Sequence, residues 1–356
     1  MAGKEEEELA FQVQLEILNY VTSGVVSWLL KCVVDLRIAD IIHAHGGPMT
    51  LSEIASKISD APCPRIQCLE RVMRLLVHKN IFAAHRPSDG AGETLYGLTD
   101  LSKWILQDSK PNFVKFLEFL NHPDFMRPWQ YLSQFLRGGD TCTIQAFGCT
   151  MWEFAADKPE LDQLLTDCME GTVDTYTKAF IDAYKEDGGL NDIGTLVDVG
   201  GRTGKDIYEI VKAFPHIKGI NFDLPRVIAL APTYEGVTNV PGDMFDSIPS
   251  GDALLFKTTL ADHPDDIIVK LLKSCRKAIP EKNGKVIIMD IVAEEGKNHV
   301  LEEAQMVSDM TMLVCTAGGR GKTEMEWKKV FNEAGFPRYK VMKICALPII
   351  IEVYPN

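Results

Sequence analysis

The stretch Leu196-Val197-Asp198-Val199-Gly200-Gly201-Arg202-Thr203-Gly204 decides the fold. An apolar run ends in an acidic residue and a glycine turn, and Asp206 to Phe214 follows with helical character, so the unit reads strand, turn, helix. Such a turn aims backbone N–H groups and a helix N-terminus at the anionic part of a ligand. Asp198 can cap the turn or serve a cofactor, and fold maintenance is the favoured role. A second acidic residue, Asp223, closes the next apolar run, Gly219-Ile220-Asn221-Phe222, at a spacing from the glycines that suits a ribose hydroxyl contact. Arg202 stands where a D-x-G-x-G-x-G loop would carry its middle glycine.

The other 347 of the 356 residues have to support that reading. The chain is long enough for two domains, and with 46% hydrophobic and 24% charged residues it has the composition of a soluble globular protein. A net charge of −13 argues against non-specific binding to nucleic acid or to anionic membranes. Met1 to Glu8 lacks the apolar stretch of a signal peptide, and no uncharged run is long enough to span a bilayer. The nine cysteines are scattered, without CxxC pairs. Reduced thiols, a cytoplasmic location and no metal site are the expectation.

Working outward to the N-terminus, Leu9, Val13, Ile17, Val21 and Val25 have helical spacing within a helical region over 9–45. Thr50 and Glu53 form a capping box, Arg65 to His78 reads as a helix, and Phe82–Ala84 with Thr94–Leu98 as a short hairpin. Helices followed by a small wing match a winged helix-turn-helix. No dense Lys/Arg cluster lies between His43 and Ile81, so this domain is expected to dimerise rather than to bind DNA. Residues 100–185 read as helical. After the Asp187-Gly188-Gly189 break, apolar runs alternate with helices: 196–199, 220–222, 253–256, 286–291, 341–346 and 349–353. That alternation predicts an α/β domain with a doubly wound parallel sheet, its ligand crevice at the carboxyl ends of the strands.

From about residue 10 onward the chain resembles the plant S-adenosylmethionine-dependent small-molecule O-methyltransferases of the caffeic acid and norcoclaurine type. The resemblance rests on 196–201, Ala213-Phe214-Pro215-His216-Ile217, Asp223-Leu224-Pro225, Gly242-Asp243-Met244-Phe245, 284–288, Gly318-Gly319 and Glu324-Met325-Glu326-Trp327. It implies a winged-helix dimerisation domain over 1–110, a helical linker and substrate-pocket region over 111–185, and a Rossmann-like cofactor domain over 186–356. It also implies a homodimer. S-adenosylmethionine would meet Gly200, Asp223, Asp243, Met244 and Lys257, and Arg202 could crowd the turn or reach the cofactor's carboxylate. Met126, Met169, Met312 and Thr316 would fall on the acceptor pocket.

At the chemistry the resemblance breaks. The family's Lys-Trp-x-Leu-His-Asp-Trp, whose His is the general base, is here Lys257-Thr258-Thr259-Leu260-Ala261-Asp262-His263. The Glu that supports the base in Gly-Gly-Lys-Glu-Arg-Thr is Gly321, and only the acidic position Asp290 is kept. Loss of a general base costs about 10²–10⁴ in rate. Ala261 and Gly321 therefore widen the expected substrate pocket, and His263, Thr259 and Asp290 are the candidate catalytic groups; a solvated loop histidine is the other reading of His263. Three functions fit: an enzyme repurposed to a non-methylating cyclisation, isomerisation or pericyclic step; an O-methyltransferase with another base; or a non-catalytic partner of an active homologue.

Overall fold

A computed structural model describes residues 2–86, 92–293 and 299–355. Internal contacts divide the chain between His122 and Pro123. The boundary expected at 110 moves because Val114 and Leu117 pack into the first unit's apolar cluster. Residues 111–185 form no separate unit: Phe180 and Tyr184 are buried in the same cluster as strand residues Leu196 and Leu255.

In the first unit the helical run over 9–45 is broken into α1 (Ala2–Val21), α2 (Gly24–Asp35) and α3 (Ile38–His45), the second break falling at Arg37 in the left-handed region (φ 54). The stripe Leu9, Val13, Ile17 and Val21 on α1 is exposed, from 57% to 76%, so this chain alone does not cover it. β1 (Met49–Thr50) leads into α4 (Leu51–Ser56), whose N-terminus carries the Thr50–Glu53 capping box in full. In α5 (Ile66–His78), Leu69, Met73 and Leu76 recur at helical spacing on the buried face. β2 (Phe82–His85) and β3 (Leu95–Leu98) pair antiparallel, and β1 adds to β3 to complete a three-stranded wing. The turn expected between them lies largely outside the described residues. α6 (Val114–Leu120) closes the unit.

The second unit opens with short helices: α7 (Pro123–Met126), α8 (Leu132–Phe135), α9 (Cys142–Phe147) and α10 (Met151–Ala156). Longer ones follow, α11 (Pro159–Gly171) and α12 (Lys178–Asp187), joined by a π-helical turn at Val173–Thr177. Then come β4 (Thr195–Val199), α13 (Lys205–Ala213), β5 (Lys218–Asp223), α14 (Pro225–Ile228), β6 (Val237–Pro241) and β7 (Ala253–Lys257). The remainder is α15 (Asp265–Ala278), β8 (Lys285–Asp290), α16 (His299–Cys315), α17 (Glu324–Ala334), β9 (Arg338–Met342) and β10 (Ile349–Tyr354).

These strands form one sheet in the order β6-β5-β4-β7-β8-β10-β9. Its residues alternate between two layers, as period-two geometry requires. Val197, Leu254, Val286 and Ile351 pack on α15 and α17, whereas Leu196, Leu255, Ile287 and Ile350 pack on α12 and α13. The doubly wound, mainly parallel sheet is as expected, with one strand reversed. β10 runs antiparallel to both neighbours, because the short link from β9 can join only an antiparallel pair. The strand expected over 341–346 ends at Met342, and β6 is an additional edge strand. All nine cysteines are free thiols, and among the described residues no single helix is long and apolar enough to cross a membrane.

Candidate active site

A cavity of about 290 Å³ lies where the parallel strands end. Its floor is built from the turn after β4 (Gly200 to Thr203), the end of β5 (Phe222 to Leu224), Gly242 to Phe245 and Lys257 to Thr259. Trp152 of α10 and Thr166, Met169 and Glu170 of α11 form another wall, and Asp206, Arg226, Val227, Asp262 and His263 complete the lining.

The turn is shaped by glycine where no side chain fits. Gly200 has φ +79, and a Cβ on Gly201 would press on Asn221 and come within 2.8 Å of Asp198 Oδ2. Asp198 itself is 2% exposed; burial first, then Asp206, pushes its carboxyl well above the ordinary range. Asp223 stands at the cleft with its carboxylate fixed by two backbone N–H groups, Arg202's to Oδ2 (2.9 Å) and Leu224's to Oδ1 (2.7 Å). Asp243 Oδ1 accepts the Phe245 N–H (2.8 Å) and so sets the Asp243–Met244–Phe245 bend. Lys257 Nζ is held by Asp206 Oδ2 (3.0 Å) and Thr172 Oγ1 (2.8 Å), which ties the sheet to the end of α11.

Arg202 adopts φ +48. Its guanidinium turns to the α11 wall, where Nη2 donates to Asp162 Oδ1 (3.2 Å) and to Thr166 Oγ1, and it lies 5.8 Å from the Trp152 ring. Arg202 thus spans the cleft from floor to wall.

The turn Leu260–Asp262 after β7 has a defined backbone although Ala261 replaces the family's His between a matching Leu260 and Asp262. The Ala261 N–H donates to Asp290 Oδ2 (3.0 Å), and the Ala261 carbonyl accepts the Arg320 N–H (2.9 Å). Asp290 is 2% exposed, and its other oxygen takes the Ile291 N–H (2.9 Å). It is not among the residues that line the cleft, and its two backbone hydrogen bonds make it a positioning group for Ala261. Thr259 lines the cleft, but its hydroxyl proton goes to the Lys257 carbonyl (3.0 Å), so it offers lone pairs rather than a donor. Burial and the Lys322 charge lower His263, which stays neutral at pH 7 with Phe245 edge-on at 5.4 Å. Burial, and next the Asp290 charge, push Asp262 up to about 8, so it carries a proton at neutral pH. Asp262 is a cleft residue that sequence reasoning passed over, since its environment, not its motif, makes it a donor.

Of the expected substrate-pocket residues, only Met169 lines this cavity. Met126 is 41% exposed on α7. Ala261 is buried beside the lining residue Asp262. The Thr316 hydroxyl is consumed at the end of α16, donating to the Met312 carbonyl (2.7 Å) and accepting the Gly319 N–H (2.8 Å). The Gly321 N–H donates to Asp309 Oδ1 (2.6 Å). Met312 is half-buried one turn before Thr316. The α10–α11 wall was missed because Trp152, Thr166 and Glu170 belong to no motif. Among the described residues no group of three or more acidic, histidine or cysteine side chains is placed to hold a metal.

The family model of the O-methyltransferase domain matches residues 129–337, and that of the O-methyltransferase dimerisation domain matches 18–108. Desmethylxanthohumol 6'-O-methyltransferase of Humulus lupulus is 44% identical, covering 96% of this chain and 98% of that protein. (R,S)-reticuline 7-O-methyltransferase of Papaver somniferum is 42% identical, covering 96% of this chain and 97% of that protein. Human N-acetylserotonin methyltransferase, solved in complex with SAM, shares the fold with a TM-score of 0.82 at 18% identity over 97% of this chain and 98% of its own. The chain therefore belongs to the O-methyltransferase family of plant specialised metabolism, with a dimerisation domain ahead of its methyltransferase domain.

Proposed function

We propose that this chain holds S-adenosylmethionine in the cleft and converts a small aromatic or alkaloid-like metabolite by a reaction without methyl transfer: a cyclisation, isomerisation or pericyclic step. The observation that carries the reading is the ordered turn at Ala261. Asp290 and Arg320 fix its backbone, yet the family's base is a methyl group and its supporting Glu is Gly321. The frame is kept and the proton acceptor is gone.

The residues present fit the cofactor. A Cβ on Gly201 or Gly242 would clash, the latter within 2.9 Å of Phe222 Cζ, so backbone forms the cradle. Asp223, oriented by two N–H groups, retains lone pairs for ribose hydroxyls, and Asp243 and Met244, which the resemblance assigns to the cofactor, line the same cleft. When bound, the cofactor supplies a fixed sulfonium charge. The chain supplies two hydrogen-bond donors, protonated Asp262 and neutral His263, at a site walled by Met169 and Trp152. Preorganised donors of this kind stabilise charge that develops on a carbonyl or phenol oxygen, and the walls hold the reacting conformer. The exposed apolar stripe of α1 fits a homodimer, and the free thiols fit the cytosol.

Incubation with S-adenosylmethionine and a panel of catechols, phenols and phenolic alkaloids, read by mass spectrometry, tests the reading. Wild type should give little methylated product, and Ala261→His with Gly321→Glu should recover part of the activity. Robust methylation by wild type would overturn the proposal. It would favour the second reading, in which neutral His263, already in the cleft, acts as the base of an O-methyltransferase.

A further inference from the structure

Arg202 is out of place twice. Its backbone sits at φ +48, a conformation that residues other than glycine adopt at a cost, and its buried Nε has no hydrogen-bond partner. A glycine would avoid both. Strain of this kind persists where the surroundings use it, and what the guanidinium does is bind α11, through Asp162 and Thr166, with Trp152 beside it. The neighbouring residues pull in the same direction. Thr203 Oγ1 donates to Glu170 Oε1 (2.7 Å), and Lys205 Nζ lies 3.2 Å from Glu170 Oε2. The glycine turn, which floors the cleft, is thereby stapled to the helix that walls it, and Arg202, only 17% exposed, is the staple nearest the middle of the turn.

We propose that Arg202 latches α11 over the cleft, so that a nucleoside ligand, once bound, is retained through many turnovers instead of being exchanged at each one. A methyl-transferring enzyme must release the demethylated nucleoside every cycle, and release of product is often the slow step. A reaction that leaves the cofactor intact has no such need, so the latch rests on the proposed function and extends it: the cofactor becomes a resident part of the site. Entry and exit require α11 to part from the turn. Arg202 contributes an ion pair and a charge-assisted hydrogen bond to the closed state, interactions stronger than neutral ones.

The test is an exchange rate, measured without substrate. Radiolabelled S-adenosylhomocysteine is loaded on the full chain and its loss is followed after dilution into excess unlabelled ligand. Arg202→Gly should speed dissociation about tenfold, the equivalent of about 1.4 kcal/mol, Thr166→Val should do so by a smaller factor, and Arg202→Lys should restore part of the retention. The unliganded Arg202→Gly protein should melt close to the wild-type temperature, because relief of the strain at φ +48 offsets the contacts to α11 that are lost. Equal dissociation rates in wild type and Arg202→Gly would overturn the latch, as would a fall in melting temperature that accounts for the faster loss. Absence of any binding would overturn the latch and the cofactor assignment together. Methylated product, assayed separately, bears on the reaction and leaves the exchange rate as it is.

Discussion

Replacing Asp290 by asparagine separates the two things that this carboxylate does. It accepts the N–H groups of Ala261 and Ile291, and it is charged at neutral pH in a site where it is 2% exposed. Burial lifts it from 3.8 to about 6, against the pull of those hydrogen bonds and of Lys322. A raised acid costs the fold nothing below its unfolded value and most above its folded one. With about 1.36 kcal/mol for each tenfold difference in proton affinity, ionisation of Asp290 costs about 1.6 kcal/mol at pH 5 and about 3 kcal/mol at pH 7.5. Asparagine removes that dependence but leaves one of the two N–H groups facing an amide NH₂, a loss of about 1–3 kcal/mol at every pH. At pH 5 the two effects nearly offset each other, and the difference in stability should move in favour of Asp290→Asn by about 1.4 kcal/mol between pH 5 and pH 7.5. The shift can only be larger if Asp262 also benefits, since the Asp290 charge helps to raise it. Urea unfolding at the two pH values, followed by tryptophan fluorescence, measures the difference. A difference that stays constant, or that moves in favour of wild type as pH rises, would refute the account of Asp290 as a buried, costly, positioning charge.

Gly201→Ala should cost about 1–3 kcal/mol by crowding Asn221 and Asp198 and should abolish nucleoside binding, as thermal melting and calorimetric titration would show. Lys285, buried and paired with Glu352, should not tolerate loss of its charge: Lys285→Met should cost about 3–5 kcal/mol. Adding Glu352→Gln, which keeps an acceptor for the Tyr184 hydroxyl, should recover much of that loss in the melting temperature.

The strand–turn–helix around Gly200 was readable because each signal there is local: an apolar run, an acidic end, glycines, a helix start. The Thr50–Glu53 box was readable for the same reason. β6 was not, since Val237 to Pro241 is a half-exposed edge strand with a proline at its end and carries no apolar run. Nor was the reversal of β10, because alternation of buried residues looks the same in either direction. At the site, Gly200, Arg202, Asp223, Asp243, Met244, Lys257, Thr259 and His263 are brought together on one cleft. What the sequence could not tell is where side chains go once there. Arg202 reaches across to α11, Thr259 turns its proton inward, and Asp290 serves a backbone N–H. Each of these depends on residues distant in the chain, and no spacing rule encodes such partners.

The position of β10 also dictates an order of assembly. Among the described residues β9 pairs with β10 and with no other strand, while β10 is the piece that joins it to β8. As the chain is synthesised, β9 emerges first and must wait, unpaired, until Ile349 to Tyr354 has followed and inserted beside β8. The half of the sheet from β6 to β8 can close in sequence order as it is made, whereas this last edge closes only in reverse. The cleft at the ends of β4, β5 and β7 belongs to the part that is built early, and the late insertion of β10 falls on the far side of β8, where it seals the core without disturbing the site.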